Sequence, residues 1–394
     1  MRTHCKDIQL NEETVRPWVE ACCMRHRKRY DFQRLFTDHG MDKKECRRAL
    51  EDNDRAAFSD AIDAICSDAV ERIRKRQLGL PPVLIEERVD DASGKLRLIG
   101  RESAMQQVLD HIAVYGAMDV FKCRIVPEQA SSIPGRGQIY GIHMIHRWIR
   151  QDCQAKRYAD MHGVRYARKT KWFVKLDVQK CYPTARLDVF MDLFRKDCGN
   201  ADLLWLWETL LLTHRVQGYT GFMIGALPSQ WACQYMMSFI YRFARNQGKN
   251  RRGKFVGAVK HMLVYLDDML LMGSNRGQLR KAVERIVEFA RSELGWTIKP
   301  NWNIRSIDLC DIDMMGFTVR ADGSVSIRGR NFVHARRVLL RTQNNMTLSQ
   351  AYRLTSFKGY FDHSNSRTVR QELHLDAAAN RASRIISEHE RSQQ

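Results

Sequence analysis

The stretch VYLDDMLLMG, residues 264–273, decides the fold. Asp267 and Asp268 lie between two apolar runs, a pattern that predicts a β-hairpin with both acids at its turn. Adjacent carboxylates in apolar surroundings repel each other and lose hydration, so they need a neutralising partner. Divalent cations such as Mg²⁺ prefer carboxylate oxygens. We therefore interpret the hairpin as part of a metal site, although an exposed turn could hold the same pair without a metal.

A third acid, Asp177, ends the apolar strand in FVKLDVQKCYPT, residues 173–184. Taken alone, it would be interpreted as the cap of a turn or of the next helix. Together with an Asp-Asp hairpin about 90 residues later, it matches a layout in which carboxylates clamp two ions. Two ions about 4 Å apart can stabilise the attacking 3′ oxygen and the leaving pyrophosphate of an in-line displacement.

The composition describes a folded, basic chain. Its 394 residues are 44% hydrophobic, which excludes a disordered protein and predicts two or three subdomains. Lys and Arg number 65 against 45 Asp and Glu, a net charge of +20. Such an excess favours a polyanionic partner, nucleic acid above all. A basic protein without that partner is the alternative.

Cysteine usage and hydropathy bear on the cellular environment. The 11 Cys residues are scattered and form no C-x-x-C, which fits neither a zinc clamp nor a disulfide framework. The N-terminus carries no apolar signal stretch, and no apolar run reaches the roughly 18 residues of a membrane span. The sequence therefore predicts a soluble, cytoplasmic protein with reduced thiols. His143 and His146 share a predicted helix, but no third zinc ligand accompanies them.

Six sequence boxes, in order, resemble those of reverse transcriptases. YLDD at 265–268 resembles the Y-x-D-D box, and FVKLDVQKCYP resembles the first palm motif. IGALPSQ at 224–230 is similar to the box of bacterial reverse transcriptases from diversity-generating retroelements and related unclassified groups. KLRLI at 95–99 resembles the fingers K-x-R-x-I box, and SIPGRGQ at 132–138 resembles the G-R-G loop. IDMMGFTV at 312–319 resembles the primer-grip region.

This resemblance implies an α+β, right-hand polymerase fold. The fingers would occupy residues 81–172 and the palm, including the primer grip, residues 173–327. A short helical thumb and tail would follow at 328–394. Residues 1–80 match no box and are expected to form a basic helical N-terminal segment, because apolar residues recur there at helical spacing.

The resemblance also implies the catalytic groups. Asp177, Asp267 and Asp268 would be catalytic and would hold two Mg²⁺ ions, with the Val178 carbonyl as a further ligand and Mn²⁺ as a substitute metal. Tyr182, five residues after Asp177, would lie under the incoming sugar and exclude a 2′-hydroxyl; a core aromatic is the alternative.

Further residues would bind the nucleotide. Lys95 and Arg97 would hold its triphosphate through charge-assisted contacts. Lys299 would approach the leaving phosphate, although an exposed lysine is the commoner fate. The pocket for the nucleotide and template would be lined by Ile224, Gly225, Ser229 and Gln230.

Ile224 departs from the many reverse transcriptases that carry Gln at this place. An aliphatic side chain offers no donor or acceptor to the nascent pair. In the retroelement group this replacement accompanies error-prone copying, so low fidelity is expected here by analogy.

Three basic segments would contact template and primer phosphates, with a solvated surface as the alternative. They are Lys156–Lys171 and Arg242–Lys260, interpreted as loops, and Arg328–Arg341, interpreted as a helical tail. The residues expected to make such contacts are Arg136, Arg251, Arg252, Lys254, Arg336 and Arg337.

The function expected is that of an RNA-directed DNA polymerase in a bacterial or phage retroelement. Its partners would be template RNA, primer or cDNA, and deoxynucleoside triphosphates; an associated noncoding RNA, an accessory protein and oligomerisation stay open. An antiphage defence enzyme is the alternative system. An inactive nucleic-acid-binding protein with a polymerase fold is more remote, since all three acids are present. Tyr182 argues against an RNA-synthesising relative.

Overall fold

The computed structural model describes residues 3–89, 94, 96–216, 218–342 and 345–392. The chain divides into two compact units, each made of several segments. Unit 1 comprises residues 1–127, 177–243 and 285–299, and unit 2 comprises residues 128–176, 244–284 and 300–394. The sequence at 90–94 predicts a hairpin turn between two β-like runs, but most of it, together with Lys95, lies outside the described residues.

Helices and strands alternate along the described chain. The α-helices are α1 (Glu12–His26), α2 (Tyr30–Asp38), α3 (Lys43–Glu51), α4 (Ser59–Arg74), α5 (Ala104–Gly116), α6 (Met118–Arg124), α7 (Gln138–Met161), α8 (Leu187–Asp197), α9 (Ala201–Leu212), α10 (Leu227–Arg245), α11 (Arg276–Leu294), α12 (Gly329–Arg341), α13 (Leu348–Asp362), α14 (Arg367–Glu372) and α15 (Leu375–Ser392). The strands are β1 (Leu84–Val89), β2 (Leu96–Arg101), β3 (Gln129–Ala130), β4 (Trp172–Asp177), β5 (Gly248–Arg251), β6 (Lys254–Gly257), β7 (His261–Tyr265), β8 (Asp268–Gly273), β9 (Arg305–Ser306), β10 (Ile312–Met314), β11 (Phe317–Val319) and β12 (Val325–Ile327).

Unit 1 opens with the helices α1 to α4, where helical periodicity predicted them. Side chains at the helix starts satisfy backbone donors: Asn11 accepts from Thr14 N at 2.9 Å, and Asp42 accepts from Lys44 N at 2.8 Å. Strands β1 and β2 then form an antiparallel hairpin. Helices α5 and α6 follow it, separated at Ala117.

An aromatic cluster forms the centre of unit 1. Phe121, Phe194 and Trp207 are fully buried, and the ring centroids of Phe121 and Trp207 lie 5.5 Å apart, edge to face. Burial of one such ring stabilises the fold by about 1.5–3 kcal/mol. The cluster joins α6 to the consecutive helices α8 and α9, which follow it much later in the sequence.

The predicted Asp-Asp hairpin is confirmed in unit 2. It belongs to a five-stranded sheet with the order β3-β7-β8-β4-β9. Strands β7 and β8 pair antiparallel from His261 opposite Met272 to Tyr265 opposite Asp268. A two-residue turn, Leu266–Asp267, remains between them. All of β4 belongs to unit 2 except its last residue, Asp177.

Two segments differ from the predicted loops. Residues 156–161, expected in a basic loop, are the last turns of α7. Within 242–260, also expected to be a loop, α10 continues to Arg245 and β5 pairs with β6. The β5–β6 turn, Arg252–Gly253, has φ values of 47° and 74°. Positive φ at both positions is typical of a tight hairpin turn. The strands were missed because they bury little apolar surface and so lack an alternating pattern.

The C-terminal part of unit 2 contains two further layers. Strands β10, β11 and β12 form an antiparallel sheet, and Phe317 and Val319 of β11 are buried in a core shared with α7. Helices α12, α13 and α15 enclose a second core around Leu354 and Leu375. Among the described residues, no helix combines the length and apolarity that crossing a bilayer requires.

Candidate active site

Asp177 ends β4 and is held by Lys299. The Lys299 ammonium lies 2.6 Å from Asp177 Oδ2, and the Lys299 amide donates to the Asp177 carbonyl at 2.9 Å. The other carboxylate oxygen, Oδ1, is buried and has no hydrogen-bond partner in the described chain. Buried polar atoms are normally satisfied, so an orphaned carboxylate oxygen is a fitting ligand for a hard cation.

Residues next to Asp177 are fixed by the segment that carries Lys299. Val178 is buried and forms an antiparallel bridge with Ile298, while Gln179 N donates to Thr297 O at 2.8 Å. These backbone interactions hold Lys299 beside Asp177. The sequence predicted Lys299 near a phosphate but did not indicate its pairing with Asp177.

Asp267 and Asp268 lie at the hairpin of unit 2. Leu266, the first turn residue, has φ 54°, a left-handed backbone value. This conformation is unfavourable in free energy for a residue with a bulky side chain. The Leu266 amide donates to Ala130 O at 3.4 Å, and Val264 N donates to Glu128 O at 2.9 Å. Strand β3 therefore helps to hold the turn in this conformation. In the sheet, β8 is the neighbour of β4.

No metal cluster is evident from side-chain positions alone. Across the ranges that the structure describes, no group of three or more His, Cys, Asp or Glu residues is placed to hold an ion. The two histidines of α7 are otherwise engaged. His146 Nδ1 lies 2.6 Å from Gly323 O, and the His143 ring packs edge to face on His363.

Tyr182 is half-buried in a loop that is pinned by its backbone. Phe222 N donates to Tyr182 O at 2.8 Å, and the Trp296 indole donates to Cys181 O at 3.1 Å. Gly221 permits the first of these hydrogen bonds, since a Cβ there would lie 2.2 Å from Pro183 O. The sequence drew no attention to Gly221, because only the folded chain brings it against Pro183.

The IGALPSQ segment is joined to the hairpin of β1 and β2, which lies in the segment predicted to form the fingers and is called the fingers hairpin. Ile224 forms a parallel bridge with Ile99 of β2, and Gly100 N donates to Ile224 O at 3.0 Å. Gly225 has φ +104°, and a Cβ there would lie 3.1 Å from Ile99 Cγ2. Arg97 precedes Ile99 by two positions on β2, so both side chains leave the same face of the hairpin. Unit 1 thus brings Ile224, Gly225 and the strand that carries Arg97 together.

Ser229 differs from its predicted role in lining the pocket. It is fully buried, and its hydroxyl lies 3.5 Å from His214 Nδ1. The other ring nitrogen of His214 lies 2.9 Å from Glu102 Oε1. Ser229 is therefore enclosed near the start of α10, whereas Gln230 remains half-buried and lines a pocket with Gly225. Neither His214 nor Glu102 was singled out from the sequence.

The predicted nucleic-acid contacts are on the surface of unit 2. Arg251, Arg252 and Lys254 are exposed around the β5–β6 turn, next to Phe255, whose side chain is 57% exposed. A pattern of exposed cations and an exposed ring suits binding to a nucleic-acid strand. Two more arginines, Arg336 and Arg337, are exposed on α12.

Arg136 lies in the β3–α7 loop, whose backbone turns sharply. Its carbonyl accepts from Ser131 N at 2.6 Å. Ser131 and Ser132 have φ values of 73° and 54°. Lys95 lies outside the described residues, so the structure adds nothing about its surroundings.

Comparison with known families gives a direct result. The family model described as reverse transcriptase (RNA-dependent DNA polymerase) matches residues 91–302, more than half of the chain. No curated protein sequence is significantly similar to the chain. The mixed α+β fold with a polymerase-type domain, predicted from the sequence, agrees with this match.

Solved structures of yeast telomerases are also similar. An apo telomerase from Candida tropicalis, truncated of its C-terminal domain, is 12% identical with a TM-score of 0.41, over 62% of this chain and 55% of that one. The apo telomerase without that truncation is 10% identical with a TM-score of 0.41, over 91% and 75%. Telomerase from Candida albicans in complex with a fragment of telomeric RNA is 11% identical with a TM-score of 0.38, over 78% and 61%. The chain thus spans little more than half of the first of these proteins.

Proposed function

The chain belongs to the reverse transcriptase family, and on that premise we propose that it is an RNA-directed DNA polymerase that copies template RNA into cDNA. One observation carries the proposal. Strand β4, which ends at Asp177, and strand β8, which begins at Asp268, are neighbours in one sheet. Asp177, Asp267 and Asp268 would be its catalytic carboxylates. Its substrates would be a primed RNA template and deoxynucleoside triphosphates.

The donor set fits a divalent cation. The orphaned Asp177 Oδ1, the two hairpin acids and the Val178 carbonyl are hard oxygen donors of the kind that Mg²⁺ prefers, and Mn²⁺ could replace it. Two bound ions would supply charge stabilisation for the attacking and leaving oxygens. Lys299 neutralises one oxygen of Asp177 and so limits the repulsion that this carboxylate would exert on other acids.

The remaining predicted residues would position the nucleotide. Tyr182, with its backbone pinned to Phe222, would form a rigid surface that excludes the 2′-hydroxyl. Arg97 and Lys95 would contact the triphosphate. The bridge between Ile99 and Ile224 makes β2 and the IGALPSQ segment one wall, so a shift of either would move the other.

The finer proposal is error-prone copying in a bacterial or phage retroelement. It rests on Ile224, whose aliphatic side chain is half-buried and cannot hydrogen-bond to a nascent pair. Antiphage defence is the alternative role. A template noncoding RNA and an accessory protein would be further partners under either role.

Primer extension with Asp267→Asn tests the activity. The change removes a charged ligand with little change in volume, so we expect extension of a DNA primer on an RNA template in Mg²⁺ to be abolished. Asp160→Asn, in the same unit, is the matched control, because Asp160 makes only a surface ion pair with Lys156. Circular dichroism should show that both variants keep the fold. Extension by Asp267→Asn at the rate of the control would refute the site.

A further inference from the structure

The N-terminal helices of unit 1 contribute to a pocket that the polymerase boxes do not explain. Its volume is about 610 Å³, room enough for a nucleotide. Arg25 and Arg29, at the junction of α1 and α2, form one side of it. These residues precede the region matched by the reverse transcriptase family, which begins at residue 91. The segment without a sequence box therefore shares a site with the fingers hairpin.

The outer part of the pocket is cationic. Arg88 and Arg101 of the hairpin also line it, and both bond to Glu86, at 3.0 and 3.1 Å. Arg29 donates to Gln107 Oε1 at 3.0 Å, and Arg25 is exposed. Two carboxylates, Glu86 beside Arg88 and Arg101 and Asp31 beside Arg29, offset part of the charge of the four arginines, which leaves an excess of positive charge where an anion could bind.

The inner wall of the pocket is acidic and buried. Glu102 is 7% exposed and Asp110 is 1% exposed. Glu102 is held by His214, whereas neither carboxyl oxygen of Asp110 is satisfied by another hydrogen-bonding group of the described chain. Burial, together with the neighbouring Glu102, raises the pKa of Asp110 well above its usual value. The pair therefore presents buried carboxyl oxygens that could accept a hydrogen bond from a ligand.

We propose that this pocket binds one nucleotide of single-stranded RNA, with its phosphate on the arginine rim and its base against Asp110 and Glu102. The unsatisfied carboxyl oxygens of Asp110 favour a base with an exocyclic amino group, which can donate a hydrogen bond to them. Uracil would place two carbonyl oxygens there instead. Gly225 and Gln230 line the same pocket, which makes it continuous with the segment expected to contact the template. The choice of RNA as the occupant rests on the proposed polymerase function.

Binding of single-stranded oligomers measures the proposal directly. Fluorescence anisotropy would compare labelled oligo(A) with the matched oligomer of purine riboside, which lacks only the 6-amino group. Oligo(A) should bind about tenfold or more tightly, because the analogue cannot donate a hydrogen bond to the buried Asp110 carboxyl group. Asp110→Leu should abolish that difference. Asp110→Asn should keep it, since an amide still offers a donor and an acceptor.

A second variant tests the rim without changing the buried wall. Arg25 and Arg88 are exposed, so the double substitution R25Q/R88Q should leave the melting temperature unchanged. It should weaken the binding of both oligomers equally. The slope of log K against log salt concentration should become shallower by roughly 0.7 for each phosphate that is no longer neutralised. If Asp110→Leu does not fold, R25Q/R88Q and the comparison of the two oligomers on the wild-type protein still test whether the pocket binds RNA.

The outcomes separate the sources of the ligand. Displacement of oligo(A) by adenosine monophosphate at concentrations near its own affinity would assign the pocket to a free nucleotide and overturn the RNA assignment. Failure of the mononucleotide to compete supports a strand. Equal binding of oligo(A) and the analogue, with no effect of R25Q/R88Q, would overturn the whole proposal. Binding is measured without Mg²⁺ and triphosphates, so Asp267→Asn should lose primer extension yet keep the preference for oligo(A). Failure of the pocket proposal can therefore be distinguished from failure of the polymerase assignment.

Discussion

Replacement of Gly221 by Ala should destabilise unit 1 and displace Tyr182. A Cβ at this position would lie 2.2 Å from Pro183 O and 2.4 Å from both Pro183 C and Tyr182 O. All three atoms belong to the backbone, so no side chain can rotate to relieve the clash. The hydrogen bond from Phe222 N to Tyr182 O, at 2.8 Å, holds the two segments together and resists their separation.

We expect Gly221→Ala to lower the free energy of unfolding by about 1–3 kcal/mol, the usual range for an overpacked site. Because the shift falls on the loop of Tyr182, discrimination between ribo- and deoxynucleotides should also fall. Denaturant unfolding measures the first effect, and incorporation of a single matched nucleotide measures the second. Both can be made on the same protein preparation.

Gly359→Ala is the matched control for this substitution. Gly359 lies in α13, and a Cβ there would meet nothing within 4 Å. The control should gain about 0.5–1 kcal/mol, because Ala is a better helix former than Gly. If Gly221→Ala were as stable as the control and kept the nucleotide selectivity of the wild type, the steric argument for the Tyr182 loop would be refuted.

Three further substitutions test the proposed roles. Tyr182→Ala should admit ribonucleotides by removing the clash with the 2′-hydroxyl, and an unchanged incorporation ratio would place the sugar gate elsewhere. Ile224→Gln should lower the error rate of cDNA synthesis by supplying a hydrogen-bonding amide, and deep sequencing of cDNA from one defined RNA measures it. Equal and low error rates for both versions would remove the mutagenic role. Neutralising Arg251, Arg252 and Lys254 should flatten the salt dependence of primer–template binding by roughly 0.7–0.9 for each phosphate that these cations neutralise in the wild type. An unchanged slope would assign this hairpin to solvent.

The sequence by itself determined the features that depend on local pattern. Apolar runs around Asp267 and Asp268 predicted the hairpin, and the structure pairs Tyr265 with Asp268 across it. Helical periodicity predicted the N-terminal helices, because one face of each helix must be buried and therefore carries apolar residues at regular spacing. The order of the six boxes indicated the reverse transcriptase family, which the family match confirms.

Local pattern was insufficient where strands bury no continuous face. The β5–β6 hairpin was taken for a loop, because Lys249, Asn250 and Arg251 are all exposed and show no alternation. The end of α7 was missed because Lys156, Arg157 and Asp160 give its last turns a charge pattern that resembles a surface loop.

Only the tertiary structure decided which distant side chains meet. Lys299 pairs with Asp177 across 122 positions, and His214 with Glu102 across 112. Neither pair leaves a periodic trace in the sequence, because each partner is placed by a different backbone segment. The same holds for Ser229, which is buried beside His214, and for Asp110, which is buried beside Glu102 once α5 has packed. Spacing and charge can predict which chemistry a chain carries, but burial and contact depend on how its segments pack.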